Sequence, residues 1–150
     1  MSALIDTAAI TTALAAQIAD HPQVRGFFVD VERGEYINKD PARTPWCGVY
    51  RTSVDFSPRV IGHHARSWQA DVAITLVVQA HADGGEAAED ACEDAVQRVL
   101  EAVLGDLSIS GTVDMLKNID VTYSYDETAS ETLDFQWAFI KLNYETRTGI

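Results

Sequence analysis

Residues 66–104, RSWQADVAITLVVQAHADGGEAAEDACEDAVQRVLEAVL, contain a change of hydrophobic period that decides the fold. Trp68, Ala70, Val72, Ile74, Leu76, Val78 and Ala80 are all apolar, with Gln69, Asp71, Thr75 and Gln79 between them. A period of two puts the apolar set on one face of a strand, so this stretch predicts a long strand with one buried face. After Gly84-Gly85 the period lengthens. Ala88, Ala91, Cys92, Ala95, Val99 and Val103 recur at steps of three and four, which predicts an amphipathic helix lying on the same sheet. Asp83 and Glu86 have the spacing of a capping box at its start, and Gly105 suits a left-handed cap at its end.

The chain has 150 residues, of which 47% are hydrophobic, enough for one domain with a core of its own. No apolar run has bilayer length, and the first residues lack the basic start and apolar centre of a signal peptide, so a soluble protein made in the cytoplasm is expected. Cys47 and Cys92 stand apart without ligand spacing and read as small buried side chains.

Charge is distributed unevenly along the chain. Residues 25–66 hold seven basic and five acidic side chains, whereas residues 67–150 hold four basic and sixteen acidic ones, within a net charge of −12. An acidic chain is poorly suited to gripping nucleic acid, because phosphate binding needs a basic field. It could line a passage through which DNA slides, or simply keep the protein soluble.

The flanking segments supply the remaining elements. Residues 3–20 carry a helical stripe of Leu4, Ile5, Ala8, Leu14, Ala15 and Ile18, ended by His21-Pro22. Gly26–Val31 reads as a first strand, with a turn at Arg33-Gly34 and a partner strand at Glu35–Ile37. Residues 38–45 read as a loop. Trp46–Phe56 reads as a strand broken by Ser57-Pro58-Arg59, so that Trp46 to Ala80 forms a projecting hairpin with its tip at Ser57–His64. Arg51, Arg59 and Arg66 make that hairpin a basic arm. Ile119–Tyr125 alternates as another strand. Phe135–Tyr144 is apolar on both faces, as in a strand covered on both sides, the second cover being a candidate neighbouring subunit.

These residues offer three chemical readings, and none is complete. His63 and His64 are adjacent on a strand, point to opposite faces and could not readily share a metal ion. Gly84-Gly85 lacks the rest of a phosphate loop. The carboxylates Glu86, Glu89, Asp90, Glu93 and Asp94 have no accompanying histidine or nucleophile and read as a solvated helical face. No cofactor is expected. The architecture is α+β: an antiparallel sheet of four to five strands with two helices packed on it and a long projecting hairpin.

The order of elements, together with Pro45-Trp46-Cys47-Gly48-Val49-Tyr50, the loop with Pro58 and Gly62, Trp68 opening the strand that ends Val78-Gln79-Ala80, the Glu89-Asp90 helix, Gly111-Thr112-Val113 and the final strand 135–144, resembles the tail terminator proteins of long-tailed bacteriophages, also called tail completion or minor tail proteins. The resemblance covers most of the chain. It implies a non-enzymatic virion protein: a homohexameric ring on the head-proximal end of the tail tube that ends tube polymerisation and docks the neck. Its implied partners are further copies of itself, the tail tube protein and a neck or head-completion protein, with genome DNA passing through unbound. Under that reading Trp46, Arg51, Arg59, Arg66 and Trp68 are subunit-interface candidates, and Glu86, Glu89, Asp90, Glu93 and Asp94 are lumen charges. Neck and tail-tube subunits of the same kind of virion are the alternatives, with a small ligand-binding domain or enzyme as a third.

Overall fold

A computed structural model describes residues 5–34, 44–61, 64–126 and 134–149. The elements in chain order are α1 (Thr7–Asp20), β1 (Asp30–Arg33), β2 (Trp46–Ile61), β3 (His64–Ala82), α2 (Gly85–Leu104), β4 (Met115–Asp126) and β5 (Asp134–Gly149). The strands form one sheet in the order β1-β2-β3-β5-β4. Both helices pack on one face of it, giving the expected α+β class with long β2 and β3 strands.

The core follows from the periodicities. Ile10, Leu14 and Ile18 of α1 and Cys92, Ala95, Val96, Val99 and Val103 of α2 are buried against Val72, Ile74, Leu76 and Val78 of β3 and Ile140, Leu142 and Tyr144 of β5. Each fully buried Val, Leu or Ile side chain contributes about 1.5–3 kcal/mol. α1 begins at Asp6, whose Oδ1 accepts the Ala9 amide at 3.0 Å, satisfying one of the helix's unpaired first donors. Its Gln17 side chain reaches the far end of α2, a contact that ties the two helices together.

Several local expectations are corrected. The first strand is Asp30–Arg33, not Gly26–Val31: Gly26 adopts φ +79° and the chain turns there. Phe27 and Phe28 pack edge to face, with ring centroids 5.0 Å apart, against the core. β1 pairs with β2 in parallel, which makes the sheet mostly rather than wholly antiparallel. The expected partner strand at Glu35–Ile37 lies outside the described residues.

β2 is not broken at Ser57-Pro58-Arg59. It continues to Ile61, pairing Ser57 with Gln69 and Pro58 with Trp68. Pro58 suits this position because, among the described residues, β1 covers only Trp46–Val49 and no second strand lies beside this part of β2. The hairpin therefore closes between Ile61 and His64. Its outer half is braced by β5, which pairs with β3 as far as Ser67–Gly149.

The helix caps also differ from the expectation. The N-cap of α2 is Gly84 at φ 105°, with no side-chain hydrogen bond, so Asp83 does not close a capping box. Gly105 is right-handed at φ −67°. The left-handed residues come later: Ile109, Ser110 and Gly111 have φ of 48°, 55° and 80°. Both terminal strands outrun their predicted ranges, and β4 carries a bulge between Leu116 and Asn118.

β3 is enclosed on both faces rather than one. Besides the even-numbered apolar set, Thr75, Val77 and Gln79 are buried. Thr75 is satisfied by Thr52, hydroxyl to hydroxyl, at 2.6 Å. Gln79 and its cross-strand neighbour Trp46 are both fully buried, and among the described residues neither amide atom of Gln79 nor the Trp46 indole nitrogen has a hydrogen-bond partner.

Candidate functional site

Glu86, Glu89, Asp90, Glu93 and Asp94 of α2 are all exposed, spread across its solvent side with Asp94 toward one flank and Glu89 and Glu93 toward the other. On one, Asp94 pairs with Arg98 at 3.2 Å. The Arg98 guanidinium lies 4.2 Å from the centre of the Phe27 ring and donates to the Gln23 carbonyl at 2.9 Å, so this arginine is committed within the chain. On the other flank, Glu89 and Glu93 line a hollow of about 390 Å³ together with Tyr123, Ser124 and Gln136. Neither carboxylate has an ion-pair partner among the described residues. Tyr123 is half exposed, and its hydroxyl is pushed above the ordinary tyrosine range by partial burial and then by the charge of Glu93.

At the opposite margin of the sheet two arginines converge. Arg33, at the end of β1, and Arg51, on β2, line a hollow of about 370 Å³ with Thr11, Gly34 and Tyr50. Arg51 lies opposite Ile74 and so on the helix-bearing face, where its Nη1 donates to Thr7 Oγ1 at 2.9 Å. It belongs to the root of the hairpin beside α1 rather than to the outer arm. Arg33 donates to Thr12 Oγ1 at 3.1 Å. Neither guanidinium has a carboxylate within ion-pair distance among the described residues.

The remaining interface candidates fall in different places. Trp46 is fully buried in the chain and has no surface to offer a neighbour. Trp68 is half-buried on the outer hairpin, between Pro58 and Thr148. For Arg59 and Arg66 only the strand backbone is described, and His63 lies outside the described residues. Phe56, on the same outer stretch, is 43% exposed.

One acidic group escaped the reading of the sequence. The register aligns Asp55, Asp71 and Glu145 across β2, β3 and β5, on the face away from the helices. Lys117, at the β4 bulge, reaches over β5 to Asp71 at 3.2 Å. These positions are far apart in sequence, and only cross-strand register brings them together, so no local pattern announces them.

The two cysteines are buried and apart, and burial pushes each thiol up to about 12. Among the described residues no group of three or more His, Cys, Asp or Glu side chains could hold a metal ion, and no described helix is long and apolar enough to cross a membrane. What the geometry offers is charge on two opposite margins and an extended hairpin, features that suit contact with macromolecules. No protein-family model matches the chain, and no curated protein matches it significantly.

Proposed function

We propose that this chain is an architectural, non-enzymatic subunit of a phage tail, a terminator that closes as a homohexameric ring on the head-proximal end of the tail tube, ends its polymerisation and docks the neck. The observation that carries this reading is the long β2–β3 hairpin. β2 has sixteen residues, roughly 50 Å of extended chain. Its ladder with β3 continues past the buried Val72 to the Ile61–His64 pair, with Phe56 exposed along the way. An extended arm of this kind has more surface than a single small domain needs, and an exposed aromatic on it suits a protein partner.

The charge supports the same role. Six copies multiply a net charge of −12, and carboxylates turned toward a channel repel DNA phosphates, so a genome passes without sticking. The exposed α2 carboxylates Glu86 and Asp90 support that reading, whereas the Asp55–Asp71–Glu145 row lies on the other face of the sheet and would face away from such a channel. Tail tube protein on one face and a neck or head-completion protein on the other are the partners this role requires, and assembly takes place in the host cytoplasm before the ring enters the virion.

Light-scattering mass together with negative-stain images tests the proposal. A discrete six-membered ring is expected. Open filaments would reassign the chain to a tail-tube subunit, and a monomer at every concentration would remove the ring-forming role altogether.

A further inference from the structure

We infer that the hollow between α2 and β4 is a socket for guanidinium groups of a second copy of this chain, and that Arg33 and Arg51 of that copy fill it. The inference rests on the self-assembling role proposed above and names the surfaces that would carry it.

The chemistry of the hollow selects its occupant. Glu89 and Glu93 are four residues apart on one helical flank, with the ring of Tyr123, the hydroxyl of Ser124 and the amide of Gln136 around the same space. Two carboxylates beside an aromatic ring suit a planar guanidinium, which donates paired hydrogen bonds to carboxylates and stacks on rings. The hollow at the other margin supplies that group twice. Arg33 and Arg51 converge there, hydrogen-bonded to Thr12 and Thr7 hydroxyls that hold them in place without neutralising them.

Geometry forbids the pairing within one chain. The acidic hollow lies at the β4 margin and the basic one at the β1–β2 margin, with β3 and β5 between them, so they are roughly 15–20 Å apart across the strands. Among the described residues neither hollow can reach the other, so joining them takes a neighbour. Because the two surfaces differ, the contact is heterologous, the type that generates rings when its rotation closes.

The test uses two charge-reversed forms of the full chain, one with Arg33→Glu and Arg51→Glu, the other with Glu89→Lys and Glu93→Lys. The first is acidic at both margins and the second basic at both. Each alone is expected to show a dissociation constant raised by at least about tenfold, since like charges then face one another. An equimolar mixture is expected to recover assembly by alternating the two forms. Circular dichroism establishes that each is folded; if a reversal unfolds the chain, the neutral pairs R33Q/R51Q and E89Q/E93Q replace it, with weaker assembly expected from each. Variants that assemble like the unaltered chain, or a mixture of folded forms that stays monomeric, overturn the socket while leaving a ring formed by the unaltered chain intact. An unaltered chain that never assembles overturns both.

Discussion

Gln17 of α1 donates through Nε2 to the carbonyl of Ala102 at 2.9 Å and is also within reach of the Val103 and Asp106 carbonyls, at 3.3 and 3.1 Å. A helix C-terminus leaves its last carbonyls without intrahelical partners. Here a side chain 85 residues earlier supplies the donor, and α2 needs no left-handed glycine at its end. Gln17→Ala is expected to cost about 1–2 kcal/mol, the range for leaving part-buried acceptors unpaired. Urea denaturation measures it, and an unchanged midpoint would refute the capping role.

The turn after α2 makes a second prediction. Ile109 is fully buried yet adopts φ 48°, a left-handed conformation that a β-branched residue resists. Truncation to alanine removes core contacts at a cost of about 2–5 kcal/mol. At ordinary helical positions glycine is about 1 kcal/mol worse than alanine, but here it also releases the backbone. Ile109→Gly is therefore expected to be at least as stable as Ile109→Ala; a clearly less stable glycine variant in thermal melts contradicts the strain.

Asp106 holds the same turn. Its carboxylate accepts the Ser108 hydroxyl at 2.7 Å, the Ser110 amide at 2.8 Å and the Ser108 amide at 3.0 Å, and these bonds lower its pKa from the ordinary 3.8. A lowered folded value stabilises the protein fully above the unfolded pKa, and the contribution is lost as the pH falls through the folded one. Asp106→Ala should thus lower the melting temperature at neutral pH and narrow its gap from the unaltered chain on acidification. A gap that is constant down through the carboxylate range would count against this assignment.

Lys117 meets the aligned row of Asp55, Asp71 and Glu145 through its 3.2 Å contact with Asp71. The ion pair is partly exposed and by itself contributes under about 1 kcal/mol. Lys117→Glu adds repulsion to an already acidic row and is expected to destabilise by about 1 kcal/mol, with most of the loss recovered in high salt. Melts at low and high ionic strength give the comparison, and a salt-independent loss would point to packing rather than charge.

The buried thiols supply a chemical check. With both pushed up to about 12, Cys47 and Cys92 hold almost no thiolate near neutrality, and burial blocks access. A thiol-specific reagent should leave the native chain unmodified and label both cysteines once denaturant unfolds it. Rapid native labelling would show that the helix-covered face opens.

The elements most legible in the sequence were those in which local period and burial coincide. Val72, Ile74, Leu76 and Val78 announced β3, and Cys92, Ala95 and Val99 announced α2, because each set faces one core. Residues 26–29 misled because Phe27 and Phe28 are apolar for packing beside Arg98, not for pairing in a sheet. Pro58 misled because its meaning depends on whether a strand has a neighbour on that side, which a sequence does not show. The charged margins were half visible: Glu89 and Glu93 stand out as a helical pair, but Arg33 and Arg51 meet only because β1 lies parallel beside β2. The Gln17 cap could not be read locally at all, since its donor and acceptors lie on different helices.

β3 is paired on both sides, with β2 along its length and with β5 from Ser67 to Ala82. The β2–β3 and β4–β5 ladders are each made by strands adjacent in the chain, whereas β3 and β5 are separated by α2 and β4. Two hairpins can therefore form independently and quickly, and the sheet exists only once they dock along the β3–β5 seam, whose closure carries the larger loop entropy. Docking along that seam is the step expected to limit the rate of folding.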